Sequence, residues 1–353
     1  MNAVVHRVRR AAGAAALPGV AVLAALAAGA VPLALLGHDP FALYARLFAD
    51  TFGSGYGFGQ VLFKATTLLG TGLAVAVARH AGLFNIGVEG QMALGGLASA
   101  CAALALGPAC PAAIAMPAAL LAGAAAGAAW AAIPGWMRAW RGVHEVIATI
   151  LLNFIAFALA GFVLIRYLAD FETLHTAAIP VAARLPRLES LVPALRGAPV
   201  NLDLVIVLAL CVLAAFVLAR TRWGFEVRAV GMSERAAAAA GIPVRRRMFE
   251  AMVVSGALAG AAAANFVQGY KHYFEDGFTA EAGFKGIAVA LLARSHPIAL
   301  VPAALLFGAL DRGAFVIGGD VPKEFVDVLQ ALVLLSVVVA MRRRSRRVAP
   351  EAA

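Results

Sequence analysis

Charge is scarce in this sequence. Only 14% of its 353 residues are Asp, Glu, Lys or Arg, whereas a soluble globular chain carries about a quarter. Cysteine is scarcer still. Cys101, Cys110 and Cys211 are scattered, odd in number and without metal-ligand spacing, so neither a disulfide framework nor a zinc site is implied. Catalytic signatures are missing too. There is no G-x-x-x-x-G-K-S/T, so the chain has no P-loop of its own, and the run Gly53–Gly59 (GSGYGFG) lacks the lysine and reads as a turn. His144-Glu145 is followed by Val-Ile-Ala, with no second histidine after two intervening residues, no G-x-S-x-G elbow occurs, and the seven histidines do not cluster. The chain therefore reads as a non-enzyme. No basic stretch is interleaved with aromatics, so the net charge of +10 does not signal nucleic acid.

What fills the sequence is apolar residues. They make up 63% of it, and the mean hydropathy is +0.88. The apolar runs are near-continuous, not alternating, and rich in Ala and Leu, which favours helix over strand. A helix needs about 20 residues to cross the hydrocarbon core. Ten candidate spans follow, at 14–36, 59–78, 88–107, 112–133, 144–166, 202–219, 248–268, 284–294, 298–313 and 324–340. The eighth is too short to cross alone and reads as a half-helix continuing back into 269–283. The expected class is an all-α polytopic membrane protein of about ten transmembrane helices, one transmembrane domain over 1–353.

Ten spans place both termini on one side. Arg7, Arg9, Arg10, the 220–247 segment and the run Arg342–Arg347 concentrate positive charge there, so both termini are expected in the cytoplasm, facing anionic lipid headgroups. The first apolar run reaches Leu36, well beyond a cleavable signal core of 7–15 residues, and is expected to stay as a helix. Three segments stand apart from the spans: an outer, periplasmic loop at 170–200, a strongly basic cytoplasmic loop at 220–247, and a basic cytoplasmic tail at 342–353. Within the basic loop, Glu234–Gly241 (ERAAAAAG) has a glycine stop and is followed by Pro243. This short displayed helix is either an ordinary connection or a docking element.

The polar residues inside the spans are Lys64, Asn85, Glu89, Gln91, Glu145, Asn153, Asn265, Gln268 and Asp311. An ionisable group there is normally turned toward protein or a water-filled path. The stretch Leu83–Gln91 (LFNIGVEGQ) combines an Asn, a Glu and a Gln with two glycines that let the helix break, which membranes tolerate only beside protein or a cavity. Amides suit a neutral polar solute such as a nucleoside or sugar. Phe84, Phe154 and Phe266 each neighbour an amide and offer a stacking face. Helix–helix hydrogen bonding with aromatic packing is the simpler reading of any one of these residues, and only for Glu89 do the two readings stand level. Ala81–Val88 and Ala282–Val289 agree at four of eight aligned positions, the pattern expected of inverted five-helix repeats. Small residues four apart, as in Gly123 with Gly127 and Gly256 with Gly260, favour close helix packing.

Three stretches together carry a family resemblance: Arg79–Gln91 (RHAGLFNIGVEGQ), Glu145–Asn153 (EVIATILLN) and Arg228–Ile242 (RAVGMSERAAAAAGI). They resemble the inner-membrane permeases of bacterial ABC importers, in the nucleoside and simple-sugar branch related to the ribose and branched-chain amino-acid permeases. The resemblance runs from about Gly59 to Arg343. It implies a multi-pass permease subunit moving a nucleoside, or else a simple sugar or a purine- or flavin-like solute, by alternating access. It implies a cytoplasmic ABC ATPase that holds ATP and Mg, a second permease subunit and a periplasmic or lipoprotein solute-binding protein, with no cofactor on this chain. Arg228, Gly231, Glu234, Ala236 and Gly241 then fall in the coupling element that meets the ATPase. The expected solute path is lined by Phe84, Asn85, Glu89, Gln91, Asn153 and Asn265. His144 stands where the family commonly has Asn before the glutamate, which bears on specificity if that position meets solute. An ion-coupled secondary transporter using Glu89 or Asp311 is the alternative class.

Overall fold

The computed structural model describes residues 27–318, save 32, 36 and 170–172, together with five isolated positions between 328 and 336. The expected first span is thus described only at its end. The expected span at 324–340 is described only at those isolated positions. The N-terminal arginines and the tail at 342–353 lie outside the described residues. The chain forms two compact units, one of 1–54 with 309–353 and one of 55–308.

In the first unit, helix α1 spans Pro40–Phe52. Its start is written in the sequence: the Asp39 carboxylate accepts from Phe41 N at 2.9 Å and Pro40 occupies the first turn, where a missing N–H costs nothing. Leu43 and Leu47 pack with Leu33 and Ile317. Hydropathy alone gave no sign of α1, because it is too short and too mixed to span.

The second unit holds helices α2 (Gly55–His80), α3 (Val88–Leu106), α4 (Ala112–Arg141), α5 (Glu145–Val163), α6 (Asp203–Arg220), α7 (Arg222–Met232), α8 (Glu234–Ala239), α9 (Val244–Ala262) and α10 (Ala282–Leu292). The start of α11 (Leu300–Ile317) also belongs to it. Both α5 and α9 run on into π-helical turns, at Leu164–Leu168 and Val267–Lys271. Among the described residues seven helices are long and apolar enough to cross a membrane, and α10 is a shorter apolar helix of 11 residues. The count of about ten spans is therefore matched over seven plus one half-helix, not over ten. No strand forms among the described residues, only isolated bridges.

Burial sorts these helices. The apolar windows of α2 and α3 are 83% and 72% buried, whereas those of α4, α5 and α6 are 22–28% buried. Helices α2 and α3 form the centre, and the outer helices turn Leu121, Ile147, Leu151, Phe154 and Phe216 outward. An apolar face this extensive belongs against hydrocarbon or another protein's apolar surface. The small-residue pairs read from sequence meet each other. A Cβ on Gly260 would strike Gly123 O, one on Gly127 would strike Gly256 O, and one on Gly95 would strike Gly260 Cα. Helices α3, α4 and α9 thus approach backbone to backbone, the packing that small residues permit.

The segment 173–201 is tied down. Leu185, Ile179 and Thr176 donate backbone N–H groups to Gln268, His272 and Phe274 carbonyls at 2.8–3.0 Å, and Gln268 Nε2 donates to Ala183 O at 2.8 Å.

Candidate functional site

Helix α2 ends in a left-handed Gly82 (φ +76°), with Leu83 N bonding back to Ala78 O at 3.1 Å. This 6→1 bond stops the helix. The chain then runs unwound to Gly87 before α3 begins, so the glycine-flanked stretch is a true break. Buried backbone without helix needs other partners, and side chains provide them. Asn85 Oδ1 accepts from Gly87 N at 3.0 Å and from Gln91 Nε2 at 3.1 Å. Its Nδ2 donates to Gln91 Oε1 at 2.8 Å and to Ser255 Oγ on α9 at 2.9 Å. Ser255 Oγ donates onward to Ala74 O at 2.6 Å. Asn153 on α5 spans the break from the other side, donating to Ile86 O at 2.9 Å and accepting from Gly90 N at 3.0 Å.

Glu89 sits in the first turn of α3 and is 2% exposed. A carboxylate so buried is costly unless compensated. Its Oε1 accepts from Glu281 N at 3.0 Å and its Oε2 from Gly283 N, both at the start of α10. The unpaired N–H groups and positive dipole end of that half-helix are what a carboxylate satisfies best. Thr71 Oγ1 on α2 donates to Ala282 O at 3.0 Å, so α10 begins against the interior of α2.

The structure therefore brings Asn85, Glu89, Gln91 and Asn153 into one buried cluster, with Phe84 half-buried beside it. Asn265 lies at another joint. Its Nδ2 donates to Phe63 O at 2.9 Å and Thr67 Oγ1 at 2.7 Å, and its Oδ1 accepts from Asn201 at 2.9 Å. Phe266 packs against Tyr270 and Phe278, with ring centroids 5.7 and 5.1 Å apart. The protein itself partners these amides. Sequence reasoning passed over Ser255, Asn201 and Thr71, whose hydroxyls and amide close the joints. It also left Lys64 unused. Between Val61 and Ala78 on α2 only Leu62, Lys64 and Thr67 escape burial, and Lys64 is exposed. With Gln60 one turn earlier, Lys64 and Thr67 form a polar stripe on the most buried span.

The second place of interest is the 220–247 loop. Thr221 Oγ1 accepts from Gly224 N at 3.1 Å and starts α7. Glu226 receives Arg222 Nε at 2.7 Å and Arg247 Nε at 2.6 Å, and these hydrogen bonds hold its carboxyl below the ordinary value. The loop is thereby clamped to the start of α9. Ser233 Oγ accepts from Ala236 N at 3.2 Å and starts α8, which ends at Gly241 with φ +76°. Only Ala237 of α8 is buried. Gly231 lies at the back, packed on His80 O and Gly82. Arg228, Ala236 and Gly241 line an open groove of about 830 Å³ with Phe225 and Met232, the latter 88% exposed. Glu234 reaches away, to Arg138 Nη2 at 2.9 Å.

A bundle of apolar helices with a buried polar joint between two central spans and a short capped helix displayed beside an open groove has the build of a transport permease. The chain belongs to the family described as the branched-chain amino acid transport system permease component, which matches residues 57–338. Among curated relatives it is 37% identical to the guanosine ABC transporter permease NupP of Bacillus subtilis, covering 91% of this chain and 92% of that one. It is 36% identical to the glucose ABC transporter permease TsgB13 of Haloferax volcanii (91% and 86% covered). It is 34% identical to the nucleoside ABC transporter permease NupB of Lactococcus lactis (92% and 90% covered).

Proposed function

We propose that the chain is the permease subunit of an ATP-driven importer that carries a nucleoside across the bacterial inner membrane by alternating access. Family membership and the nucleoside and guanosine permeases at 34–37% identity support this cargo. The glucose permease at 36% keeps a simple sugar as the second reading. The displayed helix α8 carries the assignment of mechanism: an exposed, capped helix beside an open groove is a docking element for a cytoplasmic ATPase, which holds ATP and Mg. A second permease subunit and a periplasmic or lipoprotein binding protein complete the assembly, with both termini cytoplasmic.

Gly241 tests the coupling role. A β-branched residue at φ +76° costs of order 1–3 kcal/mol locally. Gly241→Val should distort the end of α8, and ATPase co-purification and ATP-dependent uptake should fall together. Normal values for both would remove the coupling role.

For the solute path we propose a division of labour. Phe84, Asn85, Glu89, Gln91, Asn153 and Asn265 shape the wall by holding the helix breaks, and the stripe Gln60, Lys64 and Thr67 meets the solute. An ammonium on a span is normally turned to protein or water. Loss of one charged hydrogen bond to solute is worth about 1.5–3 kcal/mol, so Lys64→Leu should raise the KM for uptake about tenfold or more. An unchanged KM would place the route elsewhere. Inverted halves remain part of the proposal. Helix α2 packs on α10 while α9 packs on α3, and the Thr71 contact with Ala282 has a counterpart in the Ser255 contact with Asn85.

A further inference from the structure

One side chain stands between the proposed coupling helix and the helices around the joint of α2 and α3. Arg138 lies in the last turn of α4, four residues before the left-handed cap Gly142. Its Nη2 donates to Glu234 Oε1, in the first turn of α8, at 2.9 Å. Its Nε lies 3.2 Å from Glu145 Oε2, in the first turn of α5, an ion-pair distance at an angle that makes no hydrogen bond. A guanidinium is the cation whose rigid fork reaches two carboxylates at once. Glu145 is 9% exposed and Arg138 is partly shielded, so solvent screens this joint less than it would a surface pair.

From Glu145 the connection continues through solid structure. Helix α5 runs eight residues, about 12 Å at 1.5 Å per residue, to Asn153, which grips Ile86 O and Gly90 N across the break. Glu89, next to Gly90, holds the start of α10. Each joint between α8 and α10 is an ion pair, a hydrogen bond or one rigid helix. Helix α7 offers a competing contact, since Gly231 packs directly on His80 and Gly82. That contact is backbone on backbone, with no charged side chain in it, and substituting Arg138 leaves it intact.

We propose that Arg138 is a positioning residue that transmits the movement of α8, through Glu145 and α5, to the break at Ala81–Gly87 and so to α10. This rests on the reading of α8 as the ATPase-coupling helix. The test uses the complete transporter in proteoliposomes, with its ATPase and binding protein, and follows ATP hydrolysis and guanosine uptake in parallel. Arg138→Gln should keep ATPase co-purification and hydrolysis while uptake per ATP falls about tenfold, within the range of mutations along a coupling route. Glu234→Gln removes the half-exposed carboxylate at the other end of the same ion pair, and should lower uptake per ATP by a similar factor. The double variant should fall no further than either single one, because both act through one linkage. Unchanged uptake per ATP in Arg138→Gln would overturn the proposal and leave transmission to Gly231. So would loss of ATPase co-purification, or a double variant that falls by the product of the singles. A wild-type complex lacking any ATP-dependent uptake would instead overturn the importer reading, and the linkage with it.

Discussion

Gly283→Val is expected to abolish uptake. Even the first added carbon at this position would lie 2.5 Å from Glu89 Oε2, 2.6 Å from its backbone N and 2.7 Å from its Cα. Two of these atoms are main chain of α3 and cannot rotate away. The carboxylate oxygen is the acceptor for Gly283's own N–H, so moving it aside breaks the bond it was placed to make. Overpacking a tight core costs about 1–3 kcal/mol, and losing a hydrogen bond to a buried charged group costs about as much again or more. Helix α10 cannot shift away to relieve this, because its other side is packed on α2 at Thr71, which meets Gly286 and Ala282. Uptake measured beside the amount of membrane-inserted protein checks the expectation. Near-normal uptake from Gly283→Val would show that α10 does not sit against Glu89.

Glu89→Leu should be nearly as severe, for a different reason. The leucine fits the volume but leaves the N–H groups of Glu281 and Gly283 without acceptors. An orphaned buried donor costs about 1–3 kcal/mol, and two are created. Glu89→Gln should fall between wild type and Glu89→Leu, because the amide oxygen satisfies one N–H while its NH₂ confronts the other. The ranking is read from thermal stability in detergent together with uptake. Equal stability of all three proteins would mean that Glu89 does not brace α10, and its carboxylate would then be free for a direct role with solute.

The long apolar spans were legible because hydropathy measures what lipid demands, and seven of them lie where the runs of Ala and Leu place them. The half-helix was legible too, at 282–292 against an expected 284–294. So was α8, because Ser233, Gly241 and Pro243 are start and stop signals that act within a few residues. Helix α1 was not read from the sequence, because its signal is the cap Asp39 with Pro40, which a search for spans ignores.

The site was legible as composition but not as wiring. Asn85, Glu89, Gln91 and Asn153 stand out as polar residues in apolar surroundings. Their partners, however, lie far along the chain: Ser255 for Asn85, and the backbone of Glu281 and Gly283 for Glu89. Such pairings depend on tertiary packing and leave no local pattern. Arg138 shows the same limit. In sequence it is one more arginine at a helix end. Only folding sets it between Glu145 and Glu234, which lies 96 residues away.

Energy coupling is the most direct thing to measure. The complete transporter, reconstituted with its binding protein, should take up labelled guanosine only when ATP is present on the side of the ATPase. Dissipating the proton and sodium gradients should leave the rate unchanged. Uptake that persists without ATP and collapses with an ion gradient would contradict an ATP-driven permease and select an ion-coupled transporter instead.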